Sequence, residues 1–280
     1  MFSLVLKAVG RLPLRVIHGL GAVLGLLVYW ASPTYRRRLQ ENLLGSGIPG
    51  AELLFSTVAR ETGKGALELA ALWFAPRERV TAWMQSDTWA AVEAAHARGK
   101  GVLVLSPHLG GFETTAFYIA QRLPMTVMYR PPKMRWLEPV MIAGRSRFGA
   151  AVVPANTKGV RAFYRALKGG DLVGLLPDQT PGLGDGVWAD FFGRSAYTMT
   201  LVKRLHEATG AALIMMCAER LPSAAGFKIH FEEIDTRNFD EAALNRATES
   251  MVRRCPAQYL WGYNRYKAPA GAPPPPVITP

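Results

Sequence analysis

Short apolar runs recur between stretches of helical spacing, and this alternation constrains the fold more than any other feature of the chain. The runs are GVLVLS (101–106), MTVMYR (125–130), AAVVPA (150–155), LVGLLP (172–177) and ALIMMCA (212–218). They are strand-length, and the continuously apolar ones suit strands covered on both faces. Helical periodicity fills the intervals at 112–122, 136–148, 158–168 and 197–208. A further strand is expected at 227–234, and helices at 51–74, 87–98 and 239–254. Such an order predicts an α/β domain with a mainly parallel central sheet flanked by helices. PGLGDG (181–186) reads as loop. No repeat or linker interrupts 40–267, so residues 36–267 are expected to form one domain. Residues 268–280 (APAGAPPPPVITP) read as a disordered proline-rich tail.

Residues 1–35 read differently. Between Arg15 and Arg36 lie twenty residues without a formal charge, VIHGLGAVLGLLVYWASPTY. Twenty helical residues would reach about 30 Å, the thickness of a hydrocarbon core. Pro33 shortens the helix, and Gly19, Gly21 and Gly25 weaken it. Tyr29 and Trp30 stand where an interfacial aromatic belt would place them. Cations flank both ends, which suits a helix lying in the interface better than one crossing it. A buried core helix is the plainer alternative. A cleaved signal peptide fits less well, because no clear A-x-A site follows.

Charge narrows the class of partner. The 280 residues carry 33 Lys and Arg against 21 Asp and Glu, a net charge of +12, with 49% hydrophobic and 19% charged residues. This composition excludes a disordered chain, and the lack of a second long uncharged apolar stretch excludes a polytopic membrane protein. Cys217 and Cys255 are too few for a disulfide-stapled fold. No acid precedes Glu41, while Lys7, Arg11, Arg15 and Arg36–Arg38 are cationic. Nine further cations lie between Arg130 and Lys168, opposed only by Glu138. An anionic partner is implied: nucleic acid, a membrane surface or an acidic carrier. No nucleic-acid module is recognisable and the first cluster flanks the apolar segment, so a membrane is favoured over nucleic acid.

The densest polar signal is His108-Leu109-Gly110-Gly111-Phe112-Glu113, at the carboxyl end of a buried strand. In open α/β sheets that edge is where ligands bind. Gly110 and Gly111 permit a tight turn that could bring Glu113 back to His108. A carboxylate on one ring nitrogen fixes the tautomer and raises the basicity of the other, giving a dyad able to take a proton from a substrate hydroxyl. The plainer reading is a histidine in a strand–helix turn and an acid at a helix start. The remaining histidines show no metal-ligand spacing. More polar residues fall near strand ends or before strands: Arg130, the pair Arg145 and Arg147, and Asp178-Gln179. No G-x-S-x-G elbow accompanies Ser106, which counts against a serine hydrolase.

Together these residues resemble the lipid A biosynthesis lauroyl/myristoyl acyltransferase family of the glycerolipid acyltransferase superfamily. The H-x4-E box is His108 to Glu113. Tyr129-Arg130-Pro131, Gly144-Arg145-Ser146-Arg147, Pro177-Asp178-Gln179, Phe191-Phe192-Gly193 and Thr198-Met199-Thr200 follow in the family's order. Pro256-Ala257-Gln258-Tyr259-Leu260-Trp261 and Arg265-Tyr266-Lys267 close the series. The resemblance implies a glycerol-3-phosphate acyltransferase-like fold with an N-terminal anchor at the inner membrane and a cytoplasmic active site. It implies transfer of an acyl chain from acyl carrier protein to a hydroxyl of a lipid A precursor, without metal or cofactor. His108 and Glu113 match the catalytic pair, with Arg145 and Asp178 as further site residues. Backbone N–H groups of Gly110 and Gly111, or Arg145, are candidates for the oxyanion. Arg130, Arg145 and Arg147 suit acceptor phosphates, and Gln179 is placed with the substrate-binding group. The Gly-Gly inside the box, Thr180 and Asn264 depart from the common pattern. They leave open another acceptor, such as a phospholipid, ornithine lipid or other glycolipid. A lipid hydrolase or thioesterase is a more distant alternative, and a non-catalytic membrane-surface protein more distant still.

Overall fold

The computed structural model describes residues 9–132 and 134–276. Residues 1–8 of the expected anchor, Lys133 of the basic cluster and residues 277–280 of the expected tail lie outside the described residues. In chain order the N-terminal elements are α1 (Leu14–Ala31), α2 (Pro33–Leu44), α3 (Phe55–Phe74), α4 (Arg77–Ala82), β1 (Met84–Gln85) and α5 (Ala90–His96). Then come β2 (Val102–Leu105), α6 (Glu113–Ala120), β3 (Met125–Tyr129), α7 (Leu137–Ser146), β4 (Ala151–Pro154), α8 (Thr157–Lys168) and β5 (Leu172–Leu175). The chain continues through β6 (Gly186–Phe191), β7 (Arg194–Met199), α9 (Leu201–Thr209), β8 (Ala212–Arg220), β9 (Phe227–Glu233) and α10 (Glu241–Arg254).

The strand order β1-β9-β8-β2-β5-β3-β4 makes a seven-stranded sheet in which only the β8–β9 pair is antiparallel. Every residue of β2 and β5 is buried. Alternate side chains leave a strand on opposite faces, and they sort into two cores accordingly. Leu103, Leu105, Val173, Leu175, Leu213 and Met215 pack on one face. Val102, Val104, Leu172, Ile214 and Met216 pack on the other. The expected mainly parallel sheet with helices on both faces is therefore present.

Several local expectations are corrected. The span 51–74 begins as a 3-10 turn and becomes helix only at Phe55, and 87–98 shortens to α5. The first residues of the expected helix 197–208 belong to β7, which pairs with β6 as an antiparallel hairpin. Its turn is Phe192-Gly193, both in the left-handed region at φ 51° and 70°, as a two-residue turn matched to strand twist requires. The described part of the proline-rich segment lies on this hairpin: Trp188 Nε1 donates to Pro273 O at 3.0 Å and Ser195 Oγ to Pro276 O at 2.8 Å.

The glycines of α1 have a purpose that propensity conceals. Its inner face carries Leu14, Ile17, His18, Gly21, Gly25 and Tyr29. A Cβ on Gly25 would stand 2.0 Å from Ala59 O, and one on Gly63 would stand 2.0 Å from Gly21 O. The backbones of α1 and α3 thus touch through hydrogen-only positions. The outer face exposes Val16, Leu20, Val23, Leu24, Leu27, Val28 and Trp30. One face is docked on the domain and the other is an apolar stripe, so α1 is a candidate membrane-associated segment by length, composition and pattern. Gly25→Leu should destabilise the fold by about 1–3 kcal/mol through overpacking. Gly19→Ala, with nothing within 4 Å of its added Cβ, should be neutral or stabilising by up to about 1 kcal/mol. Thermal unfolding of the two variants checks the contrast; equal effects would contradict the glycine seam.

Candidate active site

β2 and β5 are parallel neighbours in which Leu105 registers with Leu175. His108 and Asp178 are each the third residue beyond those positions, so the shared register delivers them side by side. His108 Nδ1 lies 2.8 Å from Asp178 Oδ1, and the His108 backbone N–H donates to Oδ2 at 2.9 Å. Asp178 is buried. Burial pushes its carboxyl up, but the facing His108 charge and hydrogen bonds outweigh this and hold it below the usual carboxylate range. An ionised carboxylate only accepts, so Nδ1 carries a proton, and in the neutral imidazole Nε2 is left as the nitrogen with the lone pair. The Gln179 amide nitrogen stands 3.1 Å from Nε2 and donates to it. The Phe112 ring flanks the imidazole at 4.9 Å between centroids. Tyr259 is buried beside this pair; burial first, and the Asp178 charge second, push its hydroxyl well above the ordinary tyrosine value.

The expected contact between His108 and Glu113 is replaced by two separate pairs. Phe112 already has helical dihedrals (φ −49°, ψ −30°), so the chain enters α6 without turning back toward the imidazole. Glu113 instead receives Arg145 from α7, with Nε at 3.0 Å and 3.1 Å from its two oxygens and Nη2 on Oε1. Both are largely enclosed, and the Glu113 charge holds the Arg145 guanidinium above its ordinary pKa against the burial that would lower it. This pair borders an apolar cavity of about 50 Å³ lined by Phe112, Met125, Val127, Gly174 and Met216, with Ser106 at its edge.

The backbone N–H groups considered for the oxyanion are occupied. Gly110 N–H donates to Gln258 O at 3.1 Å and Gly111 N–H to Ala218 O at 2.8 Å. Gly110 needs glycine twice over: its φ is +61°, and an added Cβ would lie 1.8 Å from Ala218 O. Arg147 is likewise spent inside the fold, on Leu72 O at 2.6 Å and on Ala75 O. Arg130 is exposed just past β3 on the same sheet edge.

Residues that the motif reading did not single out hold the loop. The side chain of Gln258 pairs with both backbone groups of Arg220, at 2.8 Å and 3.0 Å. The Arg220 guanidinium donates to Glu68 at 2.7 Å and 2.8 Å, to Glu61 at 3.2 Å and to Gly110 O at 2.7 Å. His18 of α1 adds a contact to Glu68 at 3.1 Å. Gln258 sits inside the quoted P-x-Q-Y series and was open to notice. Arg220 carried no signal, because a lone arginine at a strand end resembles any surface cation.

With this geometry described, comparison with known proteins decides the family. The model for bacterial lipid A biosynthesis acyltransferases matches residues 1–268. The chain belongs to that family. It is 28% identical over 214 residues to the lipid A biosynthesis palmitoleoyltransferase of Escherichia coli (strain K12), covering 74% of this chain and 69% of that protein. It is 26% identical over 292 aligned residues to the lipid A biosynthesis lauroyltransferase of the same organism, covering 96% and 91%. A lipid A biosynthesis acyltransferase of Haemophilus influenzae is 27% identical over 178 residues, covering 61% and 55%. The protein is an acyltransferase, and its family implies a lipid acceptor.

Removing Arg220 would strand Glu68 and Glu61 without their cation, so Arg220→Met should cost about 3–5 kcal/mol in denaturant unfolding; a loss below about 1 kcal/mol would contradict the cluster's role. The acid limb supplies a second check. Burial raises the Glu68 carboxyl, but the Arg220 charge and the hydrogen bonds from Arg220 and His18 bring it below its ordinary 4.5. Its contribution is thus full above that value and lost as pH falls through the lowered one. Glu68→Gln should flatten the acid limb of the stability–pH curve.

Proposed function

We propose that this protein is a membrane-associated O-acyltransferase of the inner membrane, with its active site on the cytoplasmic face. It moves a fatty acyl chain from an acyl carrier protein thioester to a hydroxyl of a lipid A precursor. The observation that carries the reading is the pairing of half-buried His108 with buried Asp178, which presents a nitrogen base against Phe112, whose ring also lines the apolar cavity. Among the described residues no Ser or Cys side chain is hydrogen-bonded to the pair. The Ser106 hydroxyl is directed to Pro107 O at 3.4 Å, and the group at Nε2 is the Gln179 amide.

In this mechanism the acceptor hydroxyl displaces the Gln179 amide and donates its proton to His108 Nε2 as its oxygen attacks the thioester carbonyl carbon. Asp178 steadies the imidazolium that forms. The carbonyl oxygen gains a negative charge. The Arg145 cation, oriented by Glu113 and lining the cavity, supplies the stabilising field. Collapse re-forms the carbonyl, the C–S bond breaks, and the carrier thiolate takes the proton from His108. The first methylenes of the acyl chain occupy the cavity between Met125, Val127 and Met216. Glu113 therefore acts through Arg145, and Asp178 takes the orienting place beside the base.

The test is an assay with carrier-protein thioesters of several chain lengths and a panel of acceptors: a lipid A precursor, phospholipids and an ornithine lipid. Acyl transfer to the lipid A precursor is expected. His108→Ala should lower the rate by about 10²–10⁴-fold or more while the protein still floats with lipid vesicles. Near-parental turnover in that variant would overturn the base assignment, and transfer confined to another lipid would overturn the acceptor.

A further inference from the structure

A second polar cavity, of about 180 Å³, lies outside the catalytic pair, between α2, the start of β7 and the C-terminal segment. Three arginines line it: Arg37, Arg38 and Arg194. Arg37 faces Glu41 at 3.8 Å, and Glu41 is the one acid in the lining. Arg194 lies flat over Tyr266, 3.6 Å from the ring centroid, with no carboxylate partner among the described residues. The half-buried Arg38 and Asn264 and the exposed Thr34 have no hydrogen bond or ion pair there. Elsewhere the protein spends half-buried or buried arginines on its own acceptors, as with Arg145, Arg147, Arg220 and Arg265. Unspent donors converging on one cavity are what a bound anion requires, and a guanidinium grips phosphate through paired, charge-assisted bonds.

Position selects the kind of anion. α2 starts one residue after α1, and Arg36 stacks on the exposed Trp30 at 5.6 Å. An apolar stripe at acyl-chain depth therefore puts α2 at headgroup depth. The cavity is also joined to the base. Asn42 in its floor donates to Trp261 O and Tyr263 O at 2.8 Å and 2.9 Å. The Tyr263 hydroxyl accepts from the backbone N–H of Thr180, which follows Asp178 and Gln179.

We propose that this cavity binds a lipid-borne phosphate and so seats a phosphorylated headgroup beside His108. Assignment of that phosphate to the acceptor rests on the acyl-transfer reading; phosphate binding itself does not. The test compares the parent with Arg38→Gln/Arg194→Gln, using Arg246→Gln on α10 as a control for net charge. One arm measures flotation with phosphatidylcholine vesicles containing phosphatidic acid or the phosphorylated lipid A precursor. The other measures KM and kcat for that precursor. The double variant should bind phosphate-bearing vesicles about tenfold or more weakly, corresponding to about 1.4 kcal/mol, and Arg246→Gln should not. A matching rise in KM with kcat nearly kept identifies the acceptor as the source. Weakened binding to phosphatidic acid with KM unchanged identifies a bilayer lipid. Binding and KM both unchanged, or equally changed in Arg246→Gln, overturn the proposal. If the parent transfers no acyl chain at all, the flotation arm still decides the cavity.

Discussion

The Arg220 guanidinium is the joint on which the other parts depend. Burying a cation between two buried carboxylates carries a large desolvation cost, offset only when nearly every donor is used. Here the donors reach Glu68, Glu61 and the Gly110 carbonyl. Those partners belong to the long helix α3 and to the loop that carries His108, and His18 brings in the apolar helix α1. The cluster thus welds the apolar-striped helix α1, a core helix, a sheet edge and the His108 loop into one unit. Gly110 fits this joint because its missing Cβ lets the loop backbone lie against Ala218, beside the strand end from which Arg220 reaches back.

The arginines divide by what they touch. Of the three read from the sequence as phosphate ligands, Arg145 and Arg147 serve the interior and Arg130 is exposed; Arg265 of the closing motif serves the interior too. Arg147 closes two carbonyls at the end of α3, Arg145 holds Glu113, and Arg265 supports the β6–β7 hairpin through Tyr197 O and Thr198. A guanidinium has five donors in a rigid fork, so a helix end or a buried loop can absorb it as fully as a phosphate can. A basic run in sequence therefore says little about a basic surface. Among the arginines that line a cavity, the unspent Arg38 and Arg194 lie on α2 and just after the hairpin turn, outside the motif series, whose Phe-Phe-Gly run stops at Gly193.

The central sheet was legible because both faces of β2, β5 and β8 are buried, which leaves continuous apolar runs that only a covered strand explains. The hairpin was not, since its strands mix polar and apolar residues, and its turn is Phe-Gly where Asn-Gly or Asp-Gly would have signalled it. α2 was missed because PTYRRRLQENLL is mostly polar; its helicity rests on Ser32, Pro33 and the buried Leu39 and Leu43. At the site, the identities of His108 and Asp178 were readable but their partnership was not. Sequence proximity favoured Glu113, five residues away, over Asp178, seventy away. Strand register reverses that order, because residues at equal distance past two parallel neighbours are closer than residues separated by a turn already committed to helix.

That reversal bears on how firmly such a site is held. A dyad made within one loop would change whenever the loop moved. A base on one strand end and its carboxylate on the next are held by the ladder of the sheet, the most buried part of the protein. The loop between His108 and Glu113 is then free to be tied elsewhere, to Ala218, Gln258 and Arg220, and through Arg220 to α1. A displacement of α1 accordingly reaches the loop backbone before it reaches the His108–Asp178 bond. The His108–Asp178 pair sits on the rigid element and the exposed apolar stripe on the peripheral one, and the buried arginine ties the two together.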